Sequence, residues 1–119
     1  MKVKTSELTG QALDWAVAKC EGKNSIAACY YGDNDIPLWL DEAPNPTWEP
    51  STNWAQGGPI IEREKIDVMW CGDRWCAYTM TPNGQSQLVT DGNTPLLAAM
   101  RGFVASKLGD EVEVPEELI

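Results

Sequence analysis

The segment from Thr94 to Gly109 constrains the fold of this chain more than any other stretch of the sequence. Thr94 is suited to cap a helix, Pro95 fits the first helical position, and Gly109 is a typical helix terminator. Between them, apolar residues recur with helical spacing and form one broad face: Leu96, Leu97, Met100, Phe103, Val104 and Leu108. The sequence therefore predicts a helix over 95–108 that needs a surface to pack against.

A shorter helix is predicted near the start of the chain. Thr9 is placed to cap this helix and Gly22 to end it. Between these two residues, apolar side chains again recur with helical spacing: Leu13, Ala16, Val17 and Cys20. The pattern predicts a helix over about 10–21, with Leu8 packing back against its first turns.

The second half of the chain has the alternating pattern of an antiparallel meander. Short strands are predicted over 60–64, 66–70, 75–80 and 85–90, with a tight turn at Thr81-Pro82-Asn83-Gly84. We therefore expect an α+β fold, in which two helices, about 10–21 and 95–108, pack on a small antiparallel sheet at about 60–90.

Residues 23–59 combine prolines with large aromatic side chains. Short strands are conceivable over 25–31 and 36–40, but three prolines that follow interrupt regular hydrogen bonding. Three tryptophans in the same stretch bury too much area to be left loose: Trp39, Trp48 and Trp54. This composition predicts an ordered loop region that is pinned by its aromatic residues.

The charge balance narrows the classes of function. The 119 residues carry 18 acidic and 9 basic side chains and no histidine, which gives a net charge of −9. The length predicts a single domain over 1–119, ending in an acidic tail at about 110–119. This charge argues against direct nucleic-acid binding, and no apolar run is long enough to span a membrane. Without an imidazole or another catalytic motif, we expect no catalytic residue, metal or cofactor.

Four cysteines, at positions 20, 29, 71 and 76, lack the C-x2-C spacing that is typical of zinc sites. We expect them to be structural thiols. Cys71 and Cys76 flank a predicted hairpin turn, so a local disulfide between them is an open alternative under oxidising conditions.

Trp54 heads the residues that we predict to bind a ligand. Its aromatic face is suited to stack on a planar group, and the amides of the nearby Gly57 and Gly58 can approach a ligand closely. Trp15 is a second candidate for stacking. Glu62 is a candidate for binding sugar hydroxyls or for orienting an arginine.

Arg101 completes this predicted ligand site. It lies between apolar neighbours on the C-terminal helix, so its guanidinium needs either an acid inside the protein or an anion outside it. An internal pair with Glu62 or Glu64 is the alternative to phosphate binding. On the same helix, Ala98, Gly102 and Ala105 form a small-residue stripe that packs on the sheet of its own chain or forms the contact of a homo-oligomer.

Three stretches of the chain resemble the NinX family of small proteins encoded by lambdoid bacteriophages and prophages. They are LDWAVAKCEG at 13–22, STNWAQGGPIIE at 51–62, and the segment 94–112. The resemblance implies a phage accessory protein that acts in the cytoplasm of the infected bacterial host. It supplies no catalytic or binding residue that could be transferred to this chain.

Two functions follow as hypotheses. In the first, a non-catalytic binding protein sequesters a nucleotide-like small molecule, such as a host defence signal, at Trp54, Gly57, Gly58 and Arg101. A homo-oligomer is expected to supply the walls of such a site. In the second, the chain is an acidic protein-interaction module that inhibits a host protein with a basic surface.

Overall fold

Three helices and eight short strands make up the regular structure in a computed structural model that describes residues 1–22, 26–28, 38–40, 47–80 and 87–118. Single 3₁₀ turns at Thr5–Glu7 and Glu116–Leu118 add to them. The elements follow in this order: β1 (Lys2–Lys4), α1 (Gly10–Cys20), β2 (Ile26–Ala28), β3 (Leu38–Leu40), β4 (Thr47–Trp48), α2 (Trp54–Glu64), β5 (Asp67–Trp70), β6 (Trp75–Met80), β7 (Gln87–Gly92), α3 (Pro95–Leu108) and β8 (Glu111–Glu113).

All strand pairs of the described residues are antiparallel, and the fold is α+β. β5, β6 and β7 form a meander in which Trp70 lies opposite Trp75. β1 pairs with β8, with Val3 opposite Val112. β2, β3 and β4 form a third small sheet. The single sheet expected from the sequence is thus replaced by three.

The two predicted helices are confirmed. α1 ends one residue before the expected boundary, and α3 matches 95–108. The Thr94 hydroxyl accepts a hydrogen bond from the Leu97 N–H at 3.1 Å, as expected of a helix cap. The apolar faces of α1 and α3 meet in the core, where their large side chains are fully buried: Leu13, Val17, Met100, Phe103 and Val104.

The small-residue stripe of α3 packs against the sheet of its own chain. A Cβ atom on Gly102 would lie 2.9 Å from Thr90 Oγ1 and 3.0 Å from Thr79 Cγ2. Ala98 is fully buried, and its carbonyl oxygen accepts a hydrogen bond from the Thr90 hydroxyl at 2.9 Å. Because β6 and β7 cover this stripe, it is not free to form the contact of a homo-oligomer.

A third helix, α2, replaces the loop and the short strand that the sequence predicted between 51 and 64. Asn53 caps this helix, since its Oδ1 accepts a hydrogen bond from the Ala55 N–H at 2.9 Å. A Cβ atom on Gly57 would collide with the Pro50 carbonyl oxygen and lie 2.9 Å from Leu96 Cδ1. Gly57 is therefore required because α2 packs closely on Pro50 and Leu96, and not because the chain turns there.

The acidic C-terminal segment is part of the fold and not a free tail. Its acidic residues alternate with apolar ones. In a strand, alternate side chains point to the same face, so β8 and the residues after it have one apolar face. Val112, Val114 and Leu118 are buried. Deleting residues 110–119 would consequently remove core side chains together with the charges.

Some predictions lie outside the described residues, among them the turn at 81–84, Cys29 and most of the loop region 23–46. In the part of the chain that is described, no helix is both long and apolar enough to cross a membrane.

Candidate functional site

Arg101 on α3 donates hydrogen bonds to the segment before α1 and to β7. Its Nε donates to the Leu8 carbonyl oxygen at 2.7 Å, and its Nη1 donates to the Asp91 carbonyl oxygen at 2.8 Å. The side chain is only 13% exposed, and burial lowers the pKa of the guanidinium, an effect that the Asp91 carboxylate 4.0 Å away partly offsets. The internal acid partner is therefore Asp91, whereas the sequence predicted Glu62 or Glu64.

A polar cavity of about 310 Å³ lies beside Arg101, and Asp73, Arg74 and Asp91 line it as well. Arg74 forms ion pairs of 3.0 Å with both of these acids. The hydrogen bonds to Asp73 and then to Asp91 raise the pKa of Arg74, and Arg74 lowers the pKa of Asp73. Two guanidinium groups thus face two carboxylates, so the cavity has no net charge to attract an anion.

The other predicted ligand residues on α2 do not line this cavity. Trp54 is the first residue of α2 and is 56% exposed. The Gly57 N–H donates to the Asn53 carbonyl oxygen at 2.9 Å, and Gly58 also lies within the helix. Glu62 is exposed on the same helix. Since the Gly57 amide is already bonded, the expected pair of free glycine amides is not available at this place.

Trp15, the remaining predicted ligand residue, lies on α1. Lys19 Nζ is 5.4 Å from the centroid of its ring, and both side chains line a second cavity, which Arg101 does not line. None of the cavities that the described residues form is lined by all six predicted residues. The binding of a nucleotide-like ligand by these residues stays a prediction.

Among the described elements, α3 makes the only extensive contact with the three-stranded sheet β5–β7, and it packs on one face of that sheet. Thr79 and Thr90 point toward α3, and residues alternate between the two faces along a strand. The opposite face therefore carries Met69, Cys76, Tyr78, Met80 and Val89, which we call the open face. Met69, Met80 and Val89 are 50%, 49% and 60% exposed.

Carboxylates flank the open face. Asp67 lies opposite Tyr78 and Asp91 lies opposite Cys76, so both acids share this face of the sheet. Asp73 lies in the turn between β5 and β6, beside Arg74. Because Arg74 and Arg101 offset the charges of Asp73 and Asp91, the three acids leave the margin of this apolar surface with one negative charge in excess.

Two thiols meet at the edge of the open face. Cys71 and Cys76 flank the β5–β6 turn, and the hydrogen bond with the Cys71 thiol raises the pKa of Cys76. Both are free cysteines. Cys20 is also free, and burial raises its pKa to about 12, which suits a structural thiol. Within the described ranges, no group of three or more Cys, Asp or Glu side chains is arranged to hold a metal ion.

No pattern in the sequence marked Met69, Met80 or Val89 as functional residues. The alternation in β5 separates Met69 from Val68 and Trp70, so the signal for two different faces is present in the sequence. A period of two distinguishes the faces of a strand, but it does not tell which face a distant helix will cover.

Comparison with known proteins adds two similarities. The "Inhibitor of vertebrate lysozyme" of Pseudomonas aeruginosa is 27% identical to this chain in an alignment 124 positions long, which covers 92% of the chain and 67% of that protein. The family described as "Bacteriophage P22, NinX" matches residues 4–107, which is most of the chain. This match agrees with the resemblance seen in the three sequence stretches, and the chain therefore belongs to the NinX family.

Proposed function

We propose that this protein is a non-catalytic inhibitor that binds a target protein with a basic surface, and that the open face contacts the target. The observation that carries this proposal is the half-exposed apolar cluster of Met69, Met80 and Val89, which the strand register places around Tyr78 on the open face. A contiguous exposed apolar patch with a polar margin is typical of protein interaction sites. Methionine suits such a surface because its flexible side chain adapts to the shape of a partner.

The charge of the protein supports a basic target. The net charge of −9 attracts a positively charged protein over long range, and Asp67 and Asp91 place carboxylates next to the apolar cluster. Electrostatic complementarity of this kind raises association rates more than it raises affinity. Association is consequently expected to slow as the salt concentration rises, while the apolar contacts persist.

The similarity to the Pseudomonas aeruginosa protein supports inhibition as the outcome of binding and suggests the first target to test. That protein is by name an inhibitor of vertebrate lysozyme. We propose a lysozyme-type enzyme as the target class of this chain as well. An inhibitor that covers an enzyme needs contact area and complementary charge, and it needs no reactive group of its own.

The test uses the full chain with a purified vertebrate lysozyme. Lysis of bacterial cell walls is measured against inhibitor concentration, and binding is measured by calorimetry at low and at physiological ionic strength. We expect saturable inhibition, and we expect Val89→Lys to weaken binding by about tenfold or more because it places a cation in the apolar centre. Trp54→Lys is the matched control, since it changes an equally exposed apolar residue on α2.

Three outcomes would contradict the proposal. Absence of binding to lysozyme would exclude this target class. Equal weakening by Val89→Lys and Trp54→Lys would exclude the open face as the contact surface. Binding without any loss of lytic activity would exclude inhibition.

A further inference from the structure

Three sulfur-containing side chains share the open face next to the turn between β5 and β6. Met69 lies directly opposite Cys76 in the strand register, and such a pair shares one face of the sheet. The Cys71 N–H donates to the Arg74 carbonyl oxygen at 2.8 Å, which continues the pairing of the two strands up to the turn. Side chains two residues apart along a strand point to the same face, so Cys71 lies on the same side as Met69 and Cys76.

The sulfur atom of Cys71 is directed toward its neighbours on this face. It is 4.0 Å from the Met69 carbonyl oxygen, and the Tyr78 hydroxyl lies close to it. The hydrogen bond between the Cys71 and Cys76 thiols, which raises the pKa of Cys76, brings these two sulfur atoms into contact. Met69 is opposite Cys76 and carries its thioether on a flexible chain, so this third sulfur atom is within reach of the two thiols.

A cavity of about 480 Å³ gives access to the two thiols. Cys71 is exposed at its margin, whereas Cys76 is only 8% exposed. The charged side chains that line the cavity are Asp73, Arg74 and Asp91, and Arg74 forms ion pairs with both acids. Because these charges already have partners, a ligand of this cavity is selected by the sulfur atoms and not by its charge.

We propose that Met69, Cys71 and Cys76 bind one Cu(I) ion, with two thiolates and one thioether as ligands. Thiolate and thioether sulfur atoms are soft ligands, and a soft ion such as Cu(I) prefers them to carboxylate oxygens. Cysteine binds a metal as the thiolate, so two S–H bonds break, two S–Cu bonds form and two protons pass to water. The copper ion keeps its oxidation state in this step.

The number of ligands disfavours zinc as the occupant. Structural zinc sites are almost always four-coordinate, and in the described ranges no Asp, Glu or further Cys is arranged with these two thiols to hold a metal ion. Cu(I) accepts two or three sulfur ligands. The site shares Met69 with the open face but needs no target protein, so the inference does not rest on the proposed inhibitor function.

The experiment titrates Cu(I) into the full chain under anaerobic, reducing conditions and in competition with a coloured Cu(I) chelator. We expect the chain to take up one Cu(I) ion and to gain the ultraviolet absorption that thiolate-to-copper charge transfer produces. X-ray absorption at the copper edge is expected to show three sulfur neighbours in the unaltered protein.

Single substitutions separate the three ligands. Cys71→Ser and Cys76→Ser should each weaken Cu(I) binding about hundredfold or more, because losing a direct ligand costs at least as much as losing an outer-shell partner. Met69→Leu should weaken it about tenfold, since the uncharged thioether is the weaker ligand. Met80→Leu is the matched control, because Met80 and Met69 are 49% and 50% exposed on the same face. Cys20→Ala, which removes a thiol from α1, should also leave binding unchanged.

Three results would overturn the proposal. Unchanged binding by Cys71→Ser would place the ion elsewhere in the protein. Equal binding by Met69→Leu and Met80→Leu would exclude the thioether as a ligand. Nitrogen or oxygen neighbours in the X-ray absorption spectrum would exclude a site of three sulfur atoms, and this result does not depend on whether any variant folds.

Discussion

The two faces of the β5–β7 sheet differ in how their side chains find partners. On the face toward α3, the hydroxyls of Thr79 and Thr90 donate to helix carbonyl oxygens, and Gly102 lets the helix approach closely. On the open face, Met69 and Val89 leave half or more of their area in water. Polar groups are matched where α3 covers the sheet. Apolar side chains are exposed on the open face and also at Trp70, which ends β5 on the α3 side of the sheet and is 55% exposed. The first face therefore stabilises the fold, and the second is available to a partner.

Among substitutions on the covered face, Gly102→Leu is expected to lower the unfolding free energy most. The new side chain has no space between α3 and the sheet, so we expect a loss of about 3 kcal/mol of unfolding free energy or failure to fold. This loss is measured by urea unfolding, with circular dichroism as the signal. Lys107→Leu adds the same side chain at a half-exposed position of α3 and should cost far less. Nearly wild-type stability of Gly102→Leu would show that helix and sheet can separate.

The second prediction concerns the buried carboxyl group of Asp14, whose Oδ1 accepts a hydrogen bond from the Ser51 N–H at 2.9 Å. Burial raises its pKa to about 7, partly offset by this hydrogen bond. A raised pKa means that the native state holds the proton more tightly than the unfolded chain. The stability due to this proton is complete below about pH 4 and is lost as the pH rises toward 7.

Asp14→Asn keeps an acceptor for Ser51 and cannot ionise. We therefore expect the variant to be more stable than the wild type by about 2 kcal/mol at pH 8, and nearly equal to it at pH 4. Denaturant titrations at the two pH values measure the difference, with Glu62→Gln as a control for an exposed carboxyl group. The same stability difference at both pH values would contradict the raised pKa. The two measurements together show whether a hydrogen-bonded carboxyl group in the interior still costs free energy when it ionises.

A smaller effect is expected from Thr90→Val on the covered face. The substitution keeps the shape of the side chain and removes the hydroxyl that donates to the Ala98 carbonyl oxygen at 2.9 Å. The loss should be about 1 kcal/mol, as for an ordinary buried hydrogen bond. Thermal or urea unfolding measures it, and Thr52→Val at an exposed position should leave stability nearly unchanged. A Thr90→Val protein that is as stable as the wild type would mean that this hydrogen bond contributes nothing.

The smallest effect on stability is expected on the open face. Val89→Lys exchanges a 60% exposed side chain for a charged one and should change the unfolding free energy by no more than about 0.5 kcal/mol. Urea unfolding is again the measurement. A much larger loss would show that the open face contributes to the fold of the free protein, and the difference between the two faces of the sheet would then disappear.

Local signals account for the parts of the fold that the sequence predicted. The cap at Thr94, the following proline and Gly109 act within a few residues, and the limits of α3 were accordingly predicted correctly. α2 was missed because glycine and proline are poor helix formers. Gly57 is nevertheless required there, since the helix packs closely on Pro50 and Leu96. That requirement comes from tertiary contacts, which a local pattern does not contain.

The site was less predictable than the fold for a similar reason. A polar or charged partner for Arg101 was expected, but the choice of Asp91 depends on how β7 lies beside α3. Met69 is exposed because α3 packs against the opposite face of the sheet. Both facts are set by the arrangement of elements and not by the residues next to Arg101 or Met69 in the chain.

The pairing of β1 with β8 has a consequence for how the protein is made. Val3 must find Val112, so β1 leaves the ribosome long before its partner and stays unpaired until β8 has been synthesised. A contact between such distant residues closes a long loop, which slows its formation. During translation, Leu8 lacks core partners that are synthesised much later, among them Val112, Val114 and Leu118. A premature stop before Glu111 would thus leave β1 unpaired, and an unpaired strand can start association with other nascent chains.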